Sequence, residues 1–194
     1  MKGLVKKDKT LYQRKIEDVY RFYMAYGFDH STEFIAARMG ISKKTFFNRY
    51  LSKENSIKLS FDLWMRNLAE QIRGRQTDCN NVVEALVVFI SEIQQIAGED
   101  TPFYAFAAER DLMMDVKAPF AKIIMDVLQE GKQHYQIRET LNGTTYASFF
   151  LFNVFHYVLR RDLDGDMIRY LLTPALNERG MELMEFVISS LESA

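Results

Sequence analysis

Lys43, Lys44, Thr45, Asn48 and Arg49 fall within seven residues of one another. Three are cations and two are short polar side chains. That set suits phosphate oxygens and base edges better than bond-making at carbon. At helical spacing they share one broad side of a short helix, whereas Phe46 and Tyr50, four residues apart, point inward together. Gly40-Ile41-Ser42 reads as the tight turn before that helix, with Ser42 as its cap. Before the turn, Phe34, Ile35, Ala36, Ala37 and Met39 form another short helix, capped by Ser31 or Thr32. Two short helices joined by a Gly-containing turn make a helix-turn-helix, here over roughly residues 32 to 50. Ile35, Ala36 and Met39 are expected to pack across the partner helix, with small Ala36 and Ala37 letting the axes approach.

Other chemistries lack their residues. The histidines are His30, His134 and His156, and none has Glu three positions before it, so a Glu-x-x-His di-metal bundle is excluded. Cys79 is the single cysteine. It lies in a polar stretch without a nucleophile signature, and four-ligand zinc frameworks and internal disulfides are ruled out. No phosphate loop or dinucleotide fingerprint is present. The sequence therefore predicts no enzyme, no catalytic residue, no bound metal and no cofactor, and it fits a cytoplasmic address.

The elements around the pair read as helices throughout. Tyr12, Ile16, Val19, Tyr20 and Tyr23 form a stripe over about residues 9–26, closed by Gly27. Ser52-Lys53-Glu54 opens a longer helix whose stripe is Ile57, Phe61, Trp64, Leu68 and Ile72, and residues 73–81 read as a polar connection. Further helices are expected at about 82–97, 103–114, 117–134, 143–161, 166–172 and 176–192. With 9 Gly, 3 Pro and no convincing strand, the fold class is all-α with about nine helices. The expected division is an N-terminal helix-turn-helix domain over residues 1–52 and a C-terminal helical domain over 53–194. The most apolar run, Tyr146 to Leu159, is shorter than the roughly 18 residues of a spanning helix, so no membrane is expected.

Charge is divided along the chain. Residues 1–58 carry 13 Lys/Arg against 6 Asp/Glu, and residues 59–194 carry 12 against 20. The basic side coincides with the helix pair, which points to a polyanion partner there. Lys2, Lys6, Lys7 and Lys9 either touch a duplex backbone as a flexible arm or are simply disordered.

The segment from Thr32 to Glu54 resembles the DNA-binding signature of the TetR family of regulators, closely over about residues 10–60. A looser match lies at Glu130-Gly131 and Ile137-Arg138. The resemblance implies that the chain binds a palindromic double-stranded DNA operator as a homodimer, most commonly as a repressor. Its DNA-contacting positions would be Thr32, Ser42, Lys43, Lys44, Thr45, Phe47, Asn48, Arg49 and Lys53. Thr45 occupies a base- or phosphate-contacting position, and Lys53 that of a phosphate-binding lysine at a helix start. Phe47 stands where the family usually has tyrosine, which removes one hydroxyl–phosphate bond. Lys44 replaces a commonly small residue and Arg49 a commonly aromatic or histidine residue, and both changes add positive charge.

The helix near 143–161 is apolar around most of its circumference, and that near 176–192 is similarly broad, so a symmetric four-helix dimer interface is expected from the two. The resemblance further implies an unknown small-molecule effector in the C-terminal domain. Candidate lining residues are Trp64, Phe106, Arg110, Met113, Met114, His134, Phe152 and His156. Arg110 either meets an anionic ligand or pairs with a nearby carboxylate, and His156 serves the pocket or the dimer interface.

Overall fold

A computed structural model describes residues 10–98, 102, 103, 106, 117–156 and 164–193. Among these the chain forms nine helices: α1 Leu11–Tyr26, α2 Thr32–Arg38, α3 Lys43–Tyr50, α4 Lys53–Gln76, α5 Val82–Gly98, α6 Lys117–Gln133, α7 Gly143–His156, α8 Gly165–Leu172 and α9 Glu178–Glu192. The all-α class holds, and the described residues contain one isolated bridge, Ile137 with Leu176, but no strand. No described helix is long and apolar enough to cross a membrane. The lysines before Thr10, with Arg110, Met113 and Met114, lie outside the described residues, as does most of the expected 103–114 helix.

The chain divides into two compact units, residues 1–66 with 101–106, and residues 67–100 with 107–194. A boundary at 52/53 follows the motif, but contacts place the division inside α4. The reason is that α4's first half packs with the N-terminal helices: Tyr23 of α1 hydrogen-bonds Ser56 at 2.7 Å, and both are fully buried.

In the first unit, Thr10 and Gln13 build a capping box that starts α1. Its buried stripe is Ile16, Val19, Phe22 and Tyr23. Tyr12, expected on that stripe, is 60% exposed, because it lies a turn before the point where other helices cover α1. Gly27 ends α1 at φ 73, ψ −167, a positive-φ region outside the left-handed helical basin that only glycine enters freely. Aromatic rings fill the unit. Phe103 stacks on Tyr20 at 5.3 Å and on Trp64 at 5.8 Å, and Phe106 lies 4.2 Å from Phe28.

The second unit is held by α5, α6 and α7, whose Phe89, Phe120, Phe150 and Phe155 interlock at about 5.6 to 5.7 Å. The α4 helix continues through Gln76, so Arg73–Gln76 are helical rather than part of the connection. The loose match at Glu130-Gly131 and Ile137-Arg138 has a structural cause. A side chain on buried Gly131 would meet Ile137 Cγ1 at 2.7 Å, and Arg138 donates to the Leu176 carbonyl at 2.7 Å. These contacts pin the turn after α6 to the turn before α9.

Candidate nucleic-acid interface and effector cavity

Each helix of the pair starts on a serine. Ser31, rather than Thr32, caps α2 by accepting from Phe34 N–H at 3.2 Å, and Ser42 caps α3 by accepting from Thr45 N–H at 3.0 Å. Gly40 takes φ 67 in the turn, which suits the residue expected there. Behind the pair, Ile35, Ala36, Phe46 and Tyr50 are buried. Met39 is only half-buried, and Ala37 is exposed, so close packing of α2 relies on Ala36. The Tyr50 hydroxyl donates to the Lys15 carbonyl at 2.7 Å and ties α3 to α1.

That inward anchoring leaves the opposite side of α3 in water. Lys43, Lys44, Phe47 and Asn48 are exposed there, and Thr45 and Arg49 are half-buried. Lys44 has no partner among the described residues, whereas Lys43 is ion-paired with Glu33 of α2, a contact that holds the Glu33 carboxyl below its ordinary range. Thr45 exchanges a 2.8 Å bond with Ser42, which orients its hydroxyl at the helix start. Burial pushes the Tyr50 hydroxyl up to about 12, against the opposing pull of the neighbouring Arg49 cation. Phe47 is 39% exposed, an apolar surface among the polar groups. Thr32 is the first residue of α2, half-buried.

Lys53 begins α4 and is half-buried. Ser52 caps this helix through Asn55 N–H at 3.1 Å, and Asn55 Nδ2 returns to the Tyr50 carbonyl at 2.8 Å. Between the two helices Leu51 adopts φ 67, a conformation that costs a side-chain-bearing residue about 1–3 kcal/mol. The α3–α4 corner is thus fixed by paired polar bonds. The structure brings Ser42, Lys43, Lys44, Thr45, Phe47, Asn48 and Arg49 onto one short helix, and Thr32 and Lys53 stand at the starts of the helices flanking it in sequence.

Of the candidate effector residues, Arg110, Met113 and Met114 lie outside the described residues. Trp64 and Phe106 are buried within the aromatic cluster of the first unit. Phe152 on α7 is 39% exposed and faces outward. His156 closes α7. His134 lines a cavity of about 470 Å³ in the second unit, walled by the end of α4, the start of α5 and the last turns of α6. Sequence reasoning missed Arg73, Cys79, Glu130 and Gln136 on its walls. Of these only Glu130 carried a signal, as part of the looser family match.

No family model matches the sequence, and no curated protein matches it. Solved structures do match by fold. A TetR family transcriptional regulator from Agrobacterium tumefaciens is 16% identical, with a TM-score of 0.55 over 84% of this chain and 96% of its own. The FadR regulator of Bacillus subtilis, solved with stearoyl-CoA, is 16% identical, with a TM-score of 0.57 over 92% of this chain and 96% of its own. The R. erythropolis repressor QsdR, of the TetR family, is 14% identical, with a TM-score of 0.55 over 92% of this chain and 94% of its own. At these identities the likeness establishes the fold: the chain has the architecture of TetR family regulators.

Proposed function

We propose that this chain is a TetR-like transcriptional regulator, a repressor that binds a palindromic DNA operator as a homodimer and is released by a small molecule. The observation that carries the reading is α3, whose buried Phe46 and Tyr50 present Lys43, Lys44, Thr45, Asn48 and Arg49 outward. A helix so anchored can enter a major groove with its N-terminus leading. Lys44 and Arg49 supply charge to phosphates or guanine edges, and Phe47 offers an apolar surface to a thymine methyl. Lys53, at the start of α4, would meet the backbone.

Dimerisation is assigned to α7 and α9, within the 143–161 and 176–192 stretches. In support, α9 leaves Phe186 68% and Leu191 48% exposed, an apolar face that a second copy would cover. A ligand in the second unit would act through α4, which runs from the operator-reading unit into it, and change the separation of the two reading helices.

Selection of bound sequences from random duplex DNA tests the reading, followed by titration over a salt series. The expected result is one palindromic site with affinity falling steeply as salt rises, and loss of specific binding in K44A/R49A. No enriched sequence, or unchanged specific binding by that variant, would sink the proposal.

A further inference from the structure

We infer that the cavity between α4, α5 and α6 of the second unit binds a small dipolar molecule bearing one ammonium and one carboxylate, of the amino-acid class. Its volume of about 470 Å³ lies within the range of small-molecule sites. What distinguishes it is the set of polar groups on its wall whose partners are missing or distant.

Arg73, near the end of α4, reaches Asp126 of α6 only at 3.9 Å, beyond hydrogen-bond length. Asp126 is already engaged by Lys122, which reaches its two oxygens at 2.8 and 2.9 Å. The Arg73 guanidinium therefore keeps its fork of donors for another acceptor. Glu130 follows Asp126 by one helical turn, about 6 Å along α6, and its carboxylate has no partner among the described residues. Gln136 is only 6% exposed, and its Oε1 accepts from Val82 N–H at 2.9 Å. Because that N–H can only donate, the amide orientation is settled. Its NH2 group has no partner among the described residues and opens on the cavity.

Two donor groups and one carboxylate on this wall, those of Arg73 and Glu130 reached by solvent, thus lack a close protein partner among the described residues. A simple anion would face Glu130, and a simple cation would face Arg73. A molecule with both ends satisfies each and repels neither, while Ile123 and Val127 on the same wall accept its methylenes. A metal ion fits poorly, since no group of three His, Cys, Asp or Glu side chains among the described residues could hold one. Only the regulatory consequence of this binding rests on the proposed function, and occupancy is measured without DNA.

The experiment uses the full chain with glycine, β-alanine and 4-aminobutyrate, and with butylamine and butyrate as single-charge controls. Cys79, the sole cysteine, lines the cavity and reports occupancy through its alkylation rate. At 10 mM, at least one of the three zwitterions is expected to slow alkylation threefold or more and to raise the melting temperature by about 2 °C or more. Both controls should do less, and R73Q and E130Q should each abolish the protection. The inference is overturned if no zwitterion protects Cys79, if a control protects equally, or if both variants keep the protection. If a variant fails to fold, the comparison of zwitterions with controls on the unaltered chain still decides. DNA binding that persists while Cys79 is unprotected would remove this site and leave the regulator reading standing.

Discussion

The hydrogen bond between Tyr23 and Ser56 joins α1 to the first turn of α4, and its direction can be worked out. The Ser56 hydroxyl has one proton, which it donates to the Lys53 carbonyl at 2.6 Å, so the 2.7 Å contact must be donated by Tyr23. Ser56→Ala removes the acceptor and strands a fully buried phenol donor, at a cost of about 1–3 kcal/mol. Tyr23→Phe removes the donor instead. Ser56 keeps its bond to Lys53, the ring keeps its 4.9 Å stack on Phe28, and the cost is about 0.5–1.5 kcal/mol. Combining both changes leaves no unsatisfied group, so the double variant should be more stable than S56A alone. Trp64, the only tryptophan and buried in the same unit, gives a local reading by fluorescence during urea unfolding. The expected order of urea midpoints is unaltered chain, then Y23F, then the double variant, with S56A lowest. Y23F as unstable as S56A would refute the donor assignment, and a double variant whose loss equals the sum of the single losses would refute the bond itself.

Glu33→Gln should free Lys43 for phosphate, tightening DNA binding severalfold and steepening its salt dependence by about one counterion, as measured in a salt titration. Gly180→Ala should destabilise the second unit by about 2 kcal/mol or more, because the new Cβ would sit 2.2 Å from the Gln136 carbonyl oxygen. Gly74→Ala, with nothing within 4 Å, should instead stabilise by about 0.5–1 kcal/mol, so the two melting temperatures should move in opposite directions. Burial pushes the hydroxyls of Tyr23 and Tyr50 up to about 12 from an ordinary 10. Below about pH 10 both states hold these protons and stability is unaffected. Between about 10 and 12 the unfolded chain releases them first, and stability falls by about 1.4 kcal/mol per pH unit for each tyrosine. Urea midpoints of Y23F over this range should fall less steeply than those of the unaltered chain, and parallel curves would contradict the assignment.

The helix pair was legible in sequence because its determinants are local. Ser42, Gly40 and the four-residue spacing of Phe46 and Tyr50 act within about ten positions, where caps and periodicity decide the structure. What escaped depends on distant partners. Lys43 reads as a free cation until folding places Glu33 of the preceding helix beside it. The Arg38 guanidinium lies 5.4 Å from the centroids of both Tyr26 and Phe34, a placement over two rings that residue spacing alone does not show. The cavity draws Arg73 from the end of α4, and Glu130 and Gln136 from the end of α6 and the turn after it, two stretches far apart in sequence and neither amphipathic in a way that marks a pocket. Which rings cover Trp64 and Phe106 was not legible, because an aromatic residue's periodicity does not say which neighbour covers it. Leu51 at positive φ was equally invisible, since no sequence rule places leucine there.

Phe103 and Phe106 are buried in the unit that holds the helix pair, although 34 residues of the other unit, Asn67–Asp100, precede them in the chain. A growing polypeptide therefore cannot finish this unit when α4 leaves the ribosome. Until residue 106 emerges, the rings of Tyr20, Phe28 and Trp64 lack the two phenylalanines that cover them. This unit is completed by a stretch made in the middle of the chain, before residues 107–194 of the other unit emerge. It cannot be lifted out as a contiguous module, and a gene fusion that carries only residues 1–66 would transplant an unfinished core.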